Sequence, residues 1–144
     1  MYPRATDFEI LTPEVDARWK NFGQWDRTYF PKLVGLHVEE TRLGYCRMVM
    51  SFREELEQPM GIVHGGAIAT LIDASVVPAI GSAYDNTVGY STLDLHVQYH
   101  NALVKEDAIA EGWVTKRGRS VVFCETEVTG RTSGKQIARG FMTY

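Results

Sequence analysis

Apolar and polar positions divide this chain into one long apolar segment and several segments in which the two alternate. Residues 67–80 contain no Lys, Arg or Glu, and all but four of them are small or aliphatic. A surface helix would carry a charged face, so this segment predicts a helix enclosed by protein, from about His64 to Ser82. The segment is too short and too often interrupted by polar residues to span a bilayer.

The segments on either side of this helix alternate between apolar and polar residues, which is the period of a half-buried strand. Before the helix we predict strands over Phe30 to Glu40 and Tyr45 to Arg53, then a loop over residues 58–61. After Asp85-Asn86 we predict four strands, over residues 92–99, 107–115, 120–129 and 135–144. The short connections after residue 100 imply an antiparallel sheet.

A short amphipathic helix is predicted near the N-terminus. Thr12 is suited to cap it, Pro13 fits its first position, and Gly23 would end it. We expect one domain over residues 1–144, with residues 1–30 as a helical extension. The expected fold class is α+β, with an antiparallel sheet wrapped around one long central helix.

Composition and charge argue against several classes of protein. The 144 residues are 44% hydrophobic, enough for a sizeable core, and a net charge of −3 without a basic run argues against a nucleic-acid partner. The N-terminal residues lack the apolar core of a signal peptide, and no membrane association is expected. Cys46 and Cys124 form no CxxC or metal-ligand pattern, so we interpret them as reduced core thiols of a cytoplasmic protein.

Asp73 is the residue of the apolar segment that most needs an explanation. A carboxylate in such a helix costs several kcal/mol to desolvate unless a partner or a function holds it there. Burial tends to raise the pKa of a carboxyl group and so improves it as a base. The structural alternative is a buried Asp73 that caps backbone groups or pairs with Thr70 or Ser75.

Gly65 and Gly66 stand at the start of the predicted helix. The first turn of a helix has unpaired N–H groups with a partial positive charge behind them. Glycine lets a substrate oxygen approach such donors without meeting a Cβ atom. These amides could therefore form an oxyanion hole, whereas the alternative is that both glycines serve close packing between helix and sheet.

Three short motifs carry a resemblance to a known family. They are Gly61-x-x-His64-Gly65-Gly66 followed by Asp73, the strand start Thr92-Leu93-Asp94, and the turn Gly118-Arg119-Ser120. Over about residues 33–143 the chain resembles hotdog-fold acyl-CoA thioesterases, in the branch of the phenylacetic-acid-pathway and 4-hydroxybenzoyl-CoA enzymes. The resemblance implies hydrolysis of an aryl-acyl or medium-chain acyl-CoA to the free acid and CoA.

The resemblance also implies catalytic roles for five residues. Asp73 would act as nucleophile or general base, and the Gly66 amide would stabilise the oxyanion. Gln58 stands where this branch often carries Asn, and would orient water or bind the thioester oxygen unless it is an ordinary loop residue. His64 would hold the Gln58 loop or contact the carbonyl region, and Thr92 would offer a hydroxyl to water unless it is an ordinary strand residue.

Binding of CoA is expected at Gly65 and at the turn over residues 117–120, which resembles the family's hairpin near the CoA phosphates. Arg117, Gly118, Arg119 and Ser120 make up this turn. Guanidinium groups suit phosphates, although hairpin arginines are often merely solvated. No metal is expected, because His37, His96 and His100 have no carboxylate or Cys at metal-ligand spacing. No cofactor is expected either, since CoA is part of the substrate.

The spacing of the helix residues predicts a homodimer. Asp73 lies seven residues after Gly66, about 10 Å along a helix, so both can act on one carbonyl only if one of them comes from a second copy. The resemblance implies dimers and often tetramers. Two other functions remain open: a non-catalytic acyl-CoA sensor, and a hotdog hydratase or dehydratase, which would need an Asp–His pair that His64 and Asp73 cannot form along one helix.

Overall fold

A six-stranded antiparallel sheet and the helix packed on it make up most of the structure, a computed structural model that describes residues 4–84 and 88–144. The helices are α1 (Pro13–Lys20), α2 (Phe30–Val34) and α3 (Gly65–Gly81). The strands are β1 (Leu36–Arg42), β2 (Tyr45–Met50), β3 (Glu57–Gln58), β4 (Ile62–Val63), β5 (Asp94–Tyr99), β6 (Ala108–Arg117), β7 (Val122–Gly130) and β8 (Gln136–Thr143). The predicted turn at Asp85-Asn86 lies outside the described residues.

The strand order confirms the predicted fold class. The large sheet runs β1-β2-β6-β7-β8-β5, and every neighbouring pair is antiparallel. Strand β5 follows α3 in the chain but lies at the far edge of the sheet, where β8 is its one partner among the described strands. Of the loop predicted over residues 58–61, residues 59–61 form the turn between β3 and β4, and Gln58 is the last residue of β3 in this small separate hairpin.

Helix α3 confirms the predicted central helix to within one residue at each end. His64 is its N-cap and Ser82 its C-cap. The helix packs mainly on β6 and β2, and it approaches β8 closely, because a Cβ atom at Gly140 would lie 2.2 Å from Ile72 Cγ2. Ten of its residues are buried, but the stripe with Gly66, Thr70 and Asp73 is partly open to solvent in the single chain.

The predicted strand from Phe30 to Glu40 is wrong in its first half. Residues 30–34 form the short helix α2, and the strand starts only at Leu36. Pro31 fits the first turn of a helix, where its missing N–H is not needed. Gly35 ends the helix with a φ of +84°, a left-handed conformation that favours glycine.

The N-terminal segment confirms the predicted short helix, and the residues before that helix cover part of the outer face of the sheet. Thr12 caps α1 through its hydroxyl, but the helix ends at Lys20 rather than at Gly23. Before it, the Phe8 ring stacks on Tyr45 with a centroid distance of 5.1 Å, and Arg4 pairs with Glu111. Tyr45 is therefore completely buried although it faces away from α3.

The inner face of the sheet forms the core with α3. Met48 and Met50 of β2 are buried there, as the alternation predicts. Cys46 and Cys124 are free, buried thiols, and burial raises the pKa of Cys124 to about 12, so both sulfurs stay protonated in the core. No helix in the described ranges is both long enough and apolar enough to cross a membrane.

Candidate active site

The Asp73 carboxylate lies midway along α3 and is anchored through one oxygen. Its Oδ1 accepts a hydrogen bond of 2.8 Å from the Thr92 hydroxyl and one of 2.6 Å from the Tyr144 phenol. Its Oδ2 accepts no hydrogen bond from any described residue. Asp73 is only half-buried in the single chain, so the carboxylate has one fixed oxygen and one that can meet a substrate or water.

The two partners that the structural alternative proposed for Asp73 point elsewhere. Thr70 donates to the carbonyl oxygen of Gly66 at 2.9 Å. Ser75 donates to the carbonyl oxygen of Ile72 at 2.8 Å and lies 3.0 Å from the Thr126 hydroxyl on β7. Pairing of Asp73 with Thr70 or Ser75 is therefore wrong.

Tyr144 is the site residue that the sequence reasoning missed. It follows β8, and two backbone hydrogen bonds of 2.8 and 2.9 Å pair it with Val122. Burial raises the pKa of the Tyr144 phenol, with the hydrogen bond to Asp73 as the next cause, so the phenol stays a donor. Alternation along β8 puts it on the same face as Gly140 and Met142, which was the available signal that it faces α3.

The start of α3 presents a different free amide from the expected one. The Gly66 N–H donates to Nδ1 of its own N-cap residue, His64, at 2.8 Å. The Gly65 N–H has no acceptor among residues 4–84 and 88–144. The imidazole thus occupies the Gly66 donor in this structure, and the open amide is that of Gly65, while the oxyanion role of Gly66 stays a prediction.

Gly65 packs closely between helix and sheet, as the alternative proposed for both glycines, whereas the close neighbour of Gly66 is its own N-cap residue. The Tyr99 phenol on β5 donates to the Gly65 carbonyl oxygen at 2.6 Å, and a Cβ atom at Gly65 would lie 3.1 Å from that ring. A Cβ atom at Gly66 would lie 3.0 Å from His64 Nδ1. An added Cβ atom would be tight at either position, and the neighbouring ring would have to move by a few tenths of an ångström.

Gln58 belongs to the hairpin that leads into α3. Its Oε1 accepts from the Met60 amide at 2.7 Å, and its backbone pairs with Ile62. The His64 amide ties the helix start to this hairpin by donating to the Leu56 carbonyl oxygen at 2.7 Å. Gln58 therefore lies at the helix start with His64, and no described contact joins it to Asp73.

The hairpin between β6 and β7 separates its two arginines. Arg117 donates to the Ala83 carbonyl oxygen at 2.7 Å and lies over the Tyr84 ring at 4.9 Å, so it packs against the chain that follows α3. Gly118 closes the turn by donating to the Val121 carbonyl oxygen at 2.8 Å. Arg119 and Ser120 are exposed and line a cavity that Tyr144 also lines.

Two cavities flank the two parts of the site. The first, called here the Arg119 cavity, has a volume of about 270 Å³ and is lined by Ile80, Tyr84, Val88, Gly89, Tyr90, Ser91, Leu93, Arg119, Ser120, Val122 and Tyr144. The second, the helix-start cavity, has a volume of about 360 Å³ and is lined by Ile62, Val63, Gly65, Ile68, Tyr99, His100, Asn101, Ala102 and Leu103. The Arg119 cavity is lined by Tyr144, which binds Asp73, and the helix-start cavity is lined by Gly65, whose amide is open.

The described part of the chain contains no group of three or more His, Cys, Asp or Glu side chains arranged to hold a metal ion. His100 Nδ1 lies 3.0 Å from the Gln136 carboxamide oxygen, and the His96 ring faces Phe141. The site offers a carboxylate, hydroxyl donors and a backbone amide, which are the groups that acyl transfer needs.

A family model described as the thioesterase superfamily matches residues 60–136. The matched region contains the helix start, α3 with Asp73, and the strands up to the start of β8. The chain therefore belongs to the thioesterase superfamily, and its sheet and central helix are the hotdog thioesterase fold.

Particular relatives make the comparison more specific. Human acyl-coenzyme A thioesterase 13 is 32% identical over 92 residues, which are 63% of this chain and 65% of the relative. Zebra fish thioesterase superfamily member 2 superposes with a TM-score of 0.77 at 26% identity, covering 94% of this chain and 97% of that one. A phenylacetic acid degradation-related protein from Ralstonia eutropha shares the fold, with a TM-score of 0.76 at 16% identity and coverage of 87% and 96%. The match spans about two thirds of the human relative's length.

Proposed function

We propose that this protein is an acyl-CoA thioesterase, which hydrolyses a CoA thioester to the free acid and CoA. The observation that carries this proposal is the Asp73 carboxylate, anchored through Oδ1 with Oδ2 open, in a chain of the thioesterase superfamily. The similarity to acyl-coenzyme A thioesterase 13 supports acyl-CoA as the substrate class. We further assign the protein to the phenylacetic-acid-pathway and 4-hydroxybenzoyl-CoA branch.

The proposed chemistry starts from Asp73. As a general base, its Oδ2 takes a proton from water while the water oxygen adds to the thioester carbonyl carbon. The tetrahedral intermediate then collapses, the C–S bond breaks, and the departing CoA sulfur takes the proton back. As a nucleophile, Oδ2 would instead add to the carbonyl carbon and displace the CoA thiolate to form a mixed anhydride. Water then hydrolyses the anhydride to the free acid and the Asp73 carboxylate, and the proton that is released goes to the CoA sulfur. Both routes need one open carboxylate oxygen.

The oxyanion formed on either route needs a donor, and we propose the Gly65 amide for this role. It lies in the first turn of α3, where unpaired N–H groups carry partial positive charge. His64 supports it by capping Gly66, and Tyr99 by binding the Gly65 carbonyl oxygen. Gln58 holds the turn that leads to this helix start, so we propose that it shapes this half of the site.

The two halves of the site call for a second copy of the chain. Gly65 and Asp73 are eight residues apart, about 12 Å along the axis of α3. The edge strand β5 carries exposed apolar side chains, with Leu95 38% and Tyr99 52% exposed. An exposed apolar edge strand is a template for pairing with another chain. We propose a two-fold dimer paired along β5, in which Asp73 of one protomer and Gly65 of its partner meet; such dimers could pair further into tetramers without adding a reacting group.

The two cavities give each arm of the substrate a place in this dimer. We propose that the Arg119 cavity takes the CoA arm, because its exposed guanidinium and the Ser120 hydroxyl suit phosphate oxygens. The helix-start cavity takes the acyl group, because its wall is mainly apolar and includes Ile62, Ile68 and Leu103. A compact aryl-acyl or medium-chain acyl group fits this assignment.

Release of CoA tests the proposed function directly. The purified protein is incubated with a panel of aryl-acyl and straight-chain acyl-CoAs, and free thiol is followed with a thiol-reactive dye. We expect turnover of at least one class. Tight binding without thiol release would favour the acyl-CoA sensor, and hydration of an enoyl-CoA without cleavage would favour the hydratase.

The two hairpin arginines form a matched pair for the CoA assignment. Arg119→Ala is expected to raise the KM for acyl-CoA about fivefold at low salt, which corresponds to about 1 kcal/mol for one exposed ion pair. The effect should shrink at high salt, because ions screen exposed charges. The measurement is KM as a function of ionic strength.

Arg117→Ala serves as the control, because its guanidinium already binds the Ala83 carbonyl oxygen and covers the Tyr84 ring. It should lower the melting temperature and leave the salt dependence of KM as in the wild type. An Arg119→Ala enzyme with wild-type KM at low salt would remove Arg119 from the CoA site.

Shared active sites can be tested with a hybrid dimer. Asp73→Asn and Gly65→Pro protomers, each inactive alone, are co-expressed with different tags, and the hybrid is purified on both. One of its two sites combines an intact Asp73 with an intact Gly65, so we expect about half of the wild-type kcat per dimer. An inactive hybrid would mean that each site lies within one chain, and light scattering checks the dimer mass.

A further inference from the structure

One phenol binds Asp73 from the sheet. The Tyr144 oxygen lies 2.6 Å from Asp73 Oδ1 and 2.9 Å from the Asp73 carbonyl oxygen. A phenol has one proton to donate, and the shorter contact is with the charged acceptor, which makes the stronger hydrogen bond. The contact joins the residue after β8 to the middle of α3, so the sheet as well as the helix holds the carboxylate in position.

Tyr144 is held more firmly than the other donor to Asp73. It is only 7% exposed, its backbone is paired in both directions with Val122, and its ring makes an edge contact with Tyr90 at 6.2 Å. Thr92, in contrast, is exposed and precedes the edge strand β5. The rigid donor to Oδ1 is therefore the phenol.

We infer that Tyr144 is a positioning residue for Asp73: it fixes Oδ1 against the sheet, so that Oδ2 is the oxygen presented to water or to the thioester. This inference rests on the proposed thioesterase function. Loss of the phenol hydroxyl would leave Thr92 as the only described donor to the carboxylate and would let the side chain rotate. A misdirected carboxylate lowers the rate of the chemical step more than it lowers substrate binding.

The same contact predicts a shift in the pH profile. A hydrogen bond donated to the ionised form of a carboxylate favours that form. A variant without the Tyr144 hydroxyl should therefore lose activity at a higher pH on the acid side of its pH–activity profile. The other titratable groups that face Tyr144 are Tyr90 and Cys124, and burial raises the pKa of each to about 12. Neither changes charge near neutral pH, so they do not obscure the shift.

The experiment compares Tyr144→Phe with Tyr45→Phe. Tyr45 makes a phenol-to-carboxylate hydrogen bond of the same length, 2.6 Å, to Glu111, but on the face of the sheet away from α3. For Tyr144→Phe we expect kcat to fall about tenfold, as for loss of a hydrogen bond to a charged group, with KM within about twofold of wild type and the acid limb of kcat/KM moved to higher pH. Tyr45→Phe should lower the melting temperature while leaving kcat and the acid limb as they are.

The outcomes separate this inference from the proposed function. No thiol release by the wild-type chain, or full release by Asp73→Asn, overturns both. If Asp73→Asn is inactive while Tyr144→Phe keeps the wild-type kcat and acid limb, only the inference is overturned. If Tyr45→Phe lowers kcat and shifts the acid limb as much as Tyr144→Phe, the effect is one of general stability, and the inference is again overturned.

Discussion

Replacing Asp73 by Asn is expected to lower kcat for acyl-CoA hydrolysis at least about 100-fold, the lower end of the range for a positioned general base. Asn has the same shape, and its Oδ1 can still accept from Thr92 and Tyr144, so the fold and the substrate cavities should persist. What is lost is the charge on the second oxygen, which takes the proton or attacks. KM should therefore change much less than kcat, and steady-state kinetics with a thiol-reactive dye measures both.

Asp107→Asn is the matched control for this substitution. Asp107 is also half-buried, and its Oδ1 accepts from the Phe52 amide at 2.8 Å, a contact that Asn can keep. It should retain kcat within about twofold, whereas Asp73→Ala should be at least as impaired as Asp73→Asn. Normal turnover by Asp73→Asn would show that the reaction does not depend on this carboxylate.

The central helix and the strands after it could be predicted because their signals are local and strong. Fourteen consecutive residues without Lys, Arg or Glu leave few alternatives to an enclosed helix, and His64 and Ser82 stand where its caps are. The strands after residue 100 alternate and are joined by tight turns, so their pairing follows from proximity. The segment over residues 30–34 was misassigned because short apolar runs fit helix and strand equally, and Pro31 and Gly35 decide for the helix.

The contacts of the site residues could not be predicted in the same way, because they depend on tertiary structure. The alternation of β8 directs Tyr144 toward α3, but only the position of the helix on the sheet brings it to Asp73. The sequence pattern treats Arg117 and Arg119 alike. Both side chains are exposed, but Arg117 donates to the chain after α3, whereas no described hydrogen bond holds Arg119. In the same way, the rotamer of His64 decides which glycine amide stays open.

Replacing Gly65 by Pro is expected to lower kcat about 100- to 1,000-fold, because it removes the amide that we propose for the oxyanion. Proline is suited to this position, since Gly65 is the first residue of α3 and its N–H has no described acceptor. His64 has φ −62° and ψ 135°, which is the conformation that a following proline requires. The helix should therefore form as before, and circular dichroism with thermal unfolding checks that it does.

Gly65→Ala separates the loss of the amide from the added bulk. Both variants bring a Cβ atom to about 3.1 Å from the Tyr99 ring, but only alanine keeps the N–H. We expect Gly65→Ala to retain most of the kcat. Any loss that both variants share is then due to displacement of the Tyr99 ring. Equal and large losses in both would instead favour the packing role of this glycine. Wild-type turnover by Gly65→Pro would exclude its amide as the oxyanion donor and return that role to Gly66, which could take it only if the His64 ring swings away from the Gly66 amide.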